Sequence, residues 1–484
     1  MHSDKKTTSN IAKTTQNHSA TYVFDIVNKL VSRGFKAYIA GGAVRDMLLE
    51  NPSRDYDIVT NAPIDIIPDI FKGKTVKKVG KSFLVSIIDG VEVASCRSGA
   101  ENVQSESEKG HYYTEQQDYS NKSNFMSFPE CDFMSFPECD LAHRDFTINS
   151  MAFDPLAEKL IDPFGGKNDL IKKIIRFTGD PCKRIEEDPL RMVRACRFVC
   201  SIKGGLASST FRAIMKHKDL LKEHTAFERV RAEIMKAMSH EKPSIFFRTL
   251  LDTGMLEIIM PSLHRCVELD GGPHHGETVF EHCMMTGDSL SPRKPLLRLA
   301  GYLHDVGKYD AATIKDGELT FAGHEKMAEE VTSDLKKLRF SCREISYIDA
   351  VIKTHMRPLK EDTTAKAVRR LLAFLNRHGV KWKTFLQMRI ADKSANLAKA
   401  PYMPEDIKLR VSKIRQELYR QDNIAFSIKD LAINGNDVMQ TLNIKPGKAV
   451  GEIMDTLLEK VLENPEINTP QDLKKILMSF KHKD

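Results

Sequence analysis

The sequence lacks the features that would place it in a membrane or in an oxidising compartment. Nowhere in its 484 residues does an apolar run approach the roughly 18 residues of a bilayer-spanning helix, which excludes an integral membrane protein of that kind. The first twenty residues are polar, with lysines and no apolar stretch, so no secretory leader is expected. The nine cysteines are odd in number, scattered, and contain no CxxC pair. That argues against a disulfide scaffold or a zinc ribbon and points to a reducing compartment, hence an expected cytoplasmic location. Any excess of one sign of charge is also small. A formal net charge of +7 permits a polyanionic partner without demanding one. What remains, 41% hydrophobic and 29% charged residues, is the balance of a globular chain too long for one ordinary core.

Pattern changes along the chain suggest where the domains fall. Residues 1–20 read as a polar tail. From Thr21, Val23, Phe24, Ile26, Val27 and Leu30 mark one face of a helix that Gly34 stops. Short apolar runs then predict strands at Ala37–Ala40, Tyr56–Val59, Val76–Val79, Phe83–Ile88 and Val91–Ala94. Together they give an α+β head with a mixed sheet over residues 21–155. Within it, residues 98–139 are rich in Ser, Asn, Glu and Gln and end in a tandem octapeptide, FMSFPECD twice, which reads as a long surface loop. Beyond the head the pattern is helical. A neck is expected over 156–260, a histidine-rich block over 261–400, and a lysine-rich region over 401–484.

Gly41-Gly42-Ala43-Val44-Arg45-Asp46 is followed by Asp55-Tyr56-Asp57. Carboxylates two apart on a strand project from the same face. Asp55 and Asp57 can therefore hold Mg²⁺, which prefers oxygen ligands and keeps positions open for water and phosphate. Glu92, on another predicted strand, is a candidate third carboxylate. The glycine turn allows backbone N–H groups to approach phosphate, and Arg45 can neutralise it.

Farther on, Asp188, Arg191, Arg194 and Arg197 recur every third residue, a spacing that predicts one inclined ridge of a helix. A carboxylate accepts hydrogen bonds and a guanidinium donates them, so Asp188 beside Arg191 could imitate the edge of a complementary base. Arg194 and Arg197 could grip phosphate. A third set, His282, His304-Asp305, His324, His355 and Asp392, alternates imidazole with carboxylate in a way that suits a second divalent metal. A surface salt bridge remains the plain alternative for the Asp/Arg set, and a packing role for the histidines.

These motifs together resemble the bacterial class II tRNA nucleotidyltransferase (CCA-adding enzyme) and poly(A) polymerase family, over nearly all of residues 21–460. The resemblance implies that Asp55 and Asp57 ligate Mg²⁺ and that Gly42 and Arg45 contact the triphosphate. His143-Arg144-Asp145-Phe146-Thr147-Ile148-Asn149 is similar to the family string RRDFTIN, with His143 in place of the first Arg. It implies that Arg144 contacts the nucleotide and that Asp145 helps. Asp188 and Arg191 would then act as an amino-acid template for CTP or ATP, with tRNA as partner. The histidine series resembles the HD phosphohydrolase domain. The loop at 98–139 lacks the family's YxDxRxP-like string, which leaves a CC-adding, an A-adding or a poly(A)-adding specialist open beside full CCA addition.

Overall fold

The computed structural model describes residues 18–51, 56–79, 85–95, 136–273, 275–398, 400–419 and 424–480. It divides into two compact units, residues 1–217 and 218–484, so the region expected as a neck is shared between them. Asp55, most of the expected 98–139 loop and the first octapeptide copy lie outside the described residues. The end of the second copy is helical rather than loop, because Glu138 opens the helix Glu138–Ala142.

The first unit is built on a mixed sheet of order β3-β4-β5-β2-β1-β6-β7. The strands are β1 (Ala37–Ala40), β2 (Asp57–Thr60), β3 (Val76–Val79), β4 (Val85–Ile88), β5 (Val91–Ser95), β6 (Ala152–Asp154) and β7 (Lys159–Ile161). β2 and β5 run parallel, with Asp57 opposite Glu92. β1 lies antiparallel to both β2 and β6, pairing Ala40 with Asp57 and with Ala152. The period of two along each strand gives the sheet two faces. One face buries Ile39, Ile58 and Val93 against Val23, Ile26, Val27 and Leu30 of the helix His18–Val31. The other has a small core of Ala40, Val59, Leu141 and Ala152. Asp57 shares that second face with Val59, at the strand end where the small core stops. The expected α+β class is the observed one.

Among its described residues the second unit is helical apart from a hairpin formed by Thr313–Lys315 and Glu318–Thr320. Among the described residues no helix is long and apolar enough to cross a membrane.

Candidate active site and a second candidate metal centre

β1 ends in Gly41, whose φ of +73° suits glycine, and the helix Gly42–Leu48 starts immediately after it. A Cβ on Gly41 would lie 2.2 Å from Arg144 Nη1 and 3.4 Å from Asp57 Oδ2. The missing side chain therefore makes room for a guanidinium and a carboxylate over the same turn. Arg144 is steered there by Asp140, which accepts from its Nε at 3.3 Å across one helical turn. The register that places Glu92 opposite Asp57 puts both carboxylates on one face of adjacent strands. Such a hard-oxygen pair fits Mg²⁺.

Arg45, on the helix that follows Gly41, is held at both ends of its guanidinium. Nε and Nη2 donate to Asp46 Oδ1 at 2.9 and 2.8 Å, and Nη1 donates to Asn149 Oδ1 at 2.7 Å. Asn149 in turn donates to Asp145 Oδ1 at 3.0 Å. Asp145 Oδ2 accepts from Arg194 Nε and Nη2 at 2.9 and 2.6 Å. Burial works to raise the Asp145 carboxyl, but Arg194, with help from Asn149, brings it below the usual carboxylate range. The guanidinium carbons of Arg45, Arg194 and Arg197 lie 5.2, 5.7 and 4.0 Å from the centre of the Phe198 ring. One aromatic side chain thus supports three cations. Phe198 is itself fixed edge-on against Phe146, which stacks on Phe177.

The expected single ridge from Asp188 to Arg197 is corrected by the structure. The helix runs Leu190–Ile202, and Asp188 precedes it with an extended backbone, φ −155° and ψ 97°. The cause is local: Pro189 disfavours helical geometry in the residue before it. The Asp188 carboxylate accepts from the Leu190 N–H at 3.2 Å, and Arg191 N–H bonds to Asp188 O at 3.0 Å. Arg191 Nη1 donates to Glu187 Oε2 at 2.5 Å and to Arg184 O at 3.1 Å, which turns it back toward the preceding helix Pro181–Glu187. That helix is anchored by Asp180, which caps the N–H groups of Cys182 and Lys183. Arg197 is nearly buried. Gly42 faces Arg45, and the close approach to Arg144 and Asp57 falls one residue earlier. Asn149 and Glu187 carry contacts that motif reading assigned to neither, and Gly41 and Phe198, though part of the motifs, had no contact of their own assigned. The positive φ of Gly41 left no mark in the sequence beyond being the first glycine of a pair. Asn149 and Phe198 were visible as the ends of the two arginine-bearing strings.

In the second unit, His282 lies on the helix Val279–Ser289, which Thr278 caps by accepting from Glu281 N–H at 3.2 Å. His304 and Asp305 follow the helix Pro295–Leu303. These two helices come close at Gly287 and Gly301: a Cβ on Gly301 would lie 3.3 Å from Gly287 Cα and 2.5 Å from Leu290 Cδ1. His355 follows the helix Cys342–Thr354, and Asp392 projects from the helix Trp382–Ala395. Every member of the expected series meets here. His324 Nε2 and His355 Nε2 stand 3.1 and 3.3 Å from Asp305 Oδ1 and 3.2 Å from each other. His282 Nε2 and His304 Nε2 stand 3.1 and 3.6 Å from Asp392 Oδ1.

The opposite ring nitrogens are all engaged. The Nδ1 atoms of His304, His324 and His355 are bonded to the carbonyl oxygens of Gly301, Phe321 and Ile352, and that of His282 to Glu277 Oε1. A carbonyl accepts only, so Nδ1 of His304, His324 and His355 carries a proton, and in the neutral form of each ring Nε2 is the atom left to act as a ligand. Imidazole Nε2 atoms and carboxylates therefore converge in one buried cluster, and His304 Nε2 is buried there without a hydrogen-bond partner. This donor set fits a divalent transition metal, with the carbonyl and Glu277 contacts acting as the outer layer that orients such ligands. Burial favours the neutral carboxyl at Asp305 and Asp392, but the histidines around both, and Lys308 beside Asp305, hold them well below the ordinary range. His275, Glu277 and Lys308, which also belong to this cluster, carried no separate signal in the sequence.

Three family descriptions match the chain. Residues 37–176 match the poly A polymerase head domain. Residues 205–267 match a probable RNA- and SrmB-binding site of polymerase A, and residues 319–477 a putative tRNA nucleotidyltransferase domain 2. The A-adding tRNA nucleotidyltransferase of Deinococcus radiodurans is 28% identical, over 90% of this chain and 93% of that protein. The CCA-adding enzyme of Ligilactobacillus salivarius is 27% identical over 93% of each. In structure, the chain resembles the Bacillus stearothermophilus CCA-adding enzyme in complex with CTP. The TM-score is 0.61, at 22% identity, over 96% of this chain and 98% of that one, a likeness of fold.

Proposed function

Since the chain belongs to the poly(A) polymerase and tRNA nucleotidyltransferase family, we propose that it adds C and A nucleotides to the 3′ end of tRNA without a nucleic-acid template. The observation that carries the reading is the meeting of Asp57, Arg144 and the Gly41 turn at one end of the sheet. In the reaction the tRNA 3′ hydroxyl attacks the α-phosphorus of CTP or ATP. A new phosphodiester forms, the bond to the bridging oxygen breaks, and pyrophosphate leaves. Enzymes of this family use divalent metals, and here Mg²⁺ would be held by Asp55 and Asp57. When bound, it would lower the pKa of the hydroxyl and neutralise the leaving pyrophosphate.

The side chains of the chain supply the rest. Arg45 and Arg144 bind the triphosphate on either side of the Gly41-Gly42 turn. Asp188 and Arg191 read the base edge, and Arg194, fixed by Asp145, holds the helix in register. Arg197 supports that helix from within through Phe198. Nucleotide addition to tRNAs ending before CCA, after C and after CC tests this directly, with CTP and ATP supplied singly and together. Completion of all three tRNAs is expected, and Asp57→Asn should abolish each addition. Transfer that survives Asp57→Asn would refute the site. Addition confined to the tRNA ending in CC would assign an A-adding specialist instead.

A second reading concerns the histidine cluster. Four imidazole Nε2 atoms directed at two carboxylates favour a second divalent metal in an HD-type centre that acts on phosphoesters, separately from nucleotide transfer. Metal analysis of the purified chain, with Asp305→Asn as control, tests it.

A further inference from the structure

A cavity of about 570 Å³ opens onto Asp305 and Asp392, and its wall carries a group of cations that the metal reading does not use. Tyr402 organises them. Its hydroxyl accepts from Arg389 Nη2 at 2.8 Å. Lys393 Nζ lies 4.2 Å from its ring centre and the Arg410 guanidinium carbon 4.1 Å. All four side chains line the cavity.

Local bonds hold these cations in place. Arg389 donates to His355 O from Nη1 and lies 3.9 Å from Asp392. Arg410 donates to Asp406 O at 2.8 Å and has the Asp406 carboxylate at 3.7 Å. The Arg389 and Arg410 side chains are 15% and 12% exposed, so both charges are largely out of water. Lys308 and Lys360 add positive charge to the same wall, and Glu318 and Glu325 are its further acids. Lys308 is occupied by Asp305 at 2.8 Å. Gathering Arg389, Lys393 and Arg410 around one ring keeps like charges close, an arrangement that an anion would relieve. Planar guanidinium groups match phosphate oxygens in pairs.

We propose that Tyr402, Arg389, Lys393 and Arg410 form an anion subsite that seats the phosphate of a nucleotide-sized phosphoester over the histidine cluster. Tyr402 positions the cations, and Arg389 and Arg410 make the contacts. The inference deepens the second reading above. It rests on that reading for what becomes of the ligand, and not for its binding.

The test is calorimetric titration of the full-length chain with adenosine 3′-monophosphate, in an Arg45→Ala background that weakens nucleotide binding at the sheet. Binding is expected in that background, at least tenfold weaker in Arg410→Gln and Arg389→Gln, and restored in part by Arg410→Lys. Tyr402→Phe, which keeps the ring and loses the acceptor for Arg389, should fall between. Affinity unchanged by Arg410→Gln, or no binding once Arg45 is removed, would overturn the subsite. A fall shared equally by Arg410→Lys would also overturn it, since a cation at that place would then not suffice. Metal content measured on the same samples separates the two claims. Arg410-dependent affinity in a chain that retains no metal keeps the subsite and refutes the metal reading. Metal retained with affinity indifferent to Arg410 does the reverse.

Discussion

Arg45 Nη1 donates to Asn149 Oδ1 at 2.7 Å, and this bond links the turn that would hold the triphosphate to the helix that would read the base. The link runs onward from Asn149 to Asp145 and from Asp145 to Arg194. Asn149 is the one neutral member between a cation and an anion, and its amide accepts from Arg45 through the oxygen while donating to Asp145 through the nitrogen. Asn149→Ala is expected to leave both charges short of a partner, at a cost of about 1–3 kcal/mol. Its effect should fall on the fidelity of transfer as well as its rate. Selectivity for CTP and ATP over UTP and GTP should drop, with a larger change in kcat than in KM. Steady-state incorporation into tRNA lacking its 3′ end measures both, and a variant with only a lower melting temperature would show the link to be structural alone.

Gly41 gives a second expectation. Any side chain there must adopt a positive φ, at a cost of about 1–3 kcal/mol, and must displace the Arg144 guanidinium, whose nearest atom would be 2.2 Å from the new Cβ. Misplacing a substrate-positioning group by about 1 Å can cost on the order of 10²-fold. Gly41→Ala should therefore lower kcat/KM by roughly that factor. Gly42→Ala, where Arg45 Nη2 is the nearest side-chain atom at 3.6 Å, should be much milder. Equal losses in the two variants would argue against the close approach as the reason for the first glycine.

Base reading supplies the third. Arg191 is turned toward Glu187 by a 2.5 Å bond, so a base edge must compete with or share that partner. Glu187→Gln weakens the hold on Arg191 without removing its charge. It should change nucleotide selectivity without abolishing transfer, whereas Arg191→Ala should lose discrimination by about 1–3 kcal/mol per bidentate contact, roughly 5- to 150-fold. Competition between labelled CTP and unlabelled UTP reads the difference. Selectivity unmoved by Arg191→Ala would remove that side chain from the template.

Several parts of this molecule were legible before the structure. The positions of β1 to β5 followed from short apolar runs, whereas β6 and β7 were not expected, and the α+β class followed from the clustering of those runs ahead of a helical remainder. The histidine series converged as expected because each member lies on a helix or just past one, where the neighbouring apolar pattern fixes its direction. The set from Asp188 to Arg197 was less legible. A three-residue spacing suggested a continuous ridge, and it was broken by Pro189, whose effect on the preceding residue outweighs the periodicity. Gly41 and Asn149 were hidden for another reason. Their importance lies in what approaches them, Arg144 in one case and Arg45 and Asp145 in the other, and such contacts between distant residues leave no periodic trace.

The histidine cluster permits a prediction that separates metal binding from folding. Asp305 is 2% exposed and lies between His324, His355 and the ammonium of Lys308, itself 5% exposed. Asp305→Asn keeps the volume but removes the charge that both a metal and Lys308 require. Breaking a buried pair by removing one partner typically costs about 3–5 kcal/mol, so a clear fall in melting temperature is expected along with the loss of bound metal. Adding Lys308→Met to the same chain removes the stranded cation. The double variant should therefore recover most of the lost stability and none of the metal, and its nucleotide addition to tRNA should match that of the unaltered chain, because the residues proposed for transfer lie in the other unit. Metal analysis, thermal unfolding and the tRNA assay on the two variants give three independent readings. Metal that persists in both would show that Asp305 is not a ligand, and stability that does not return in the double variant would show that Lys308 is not the stranded charge.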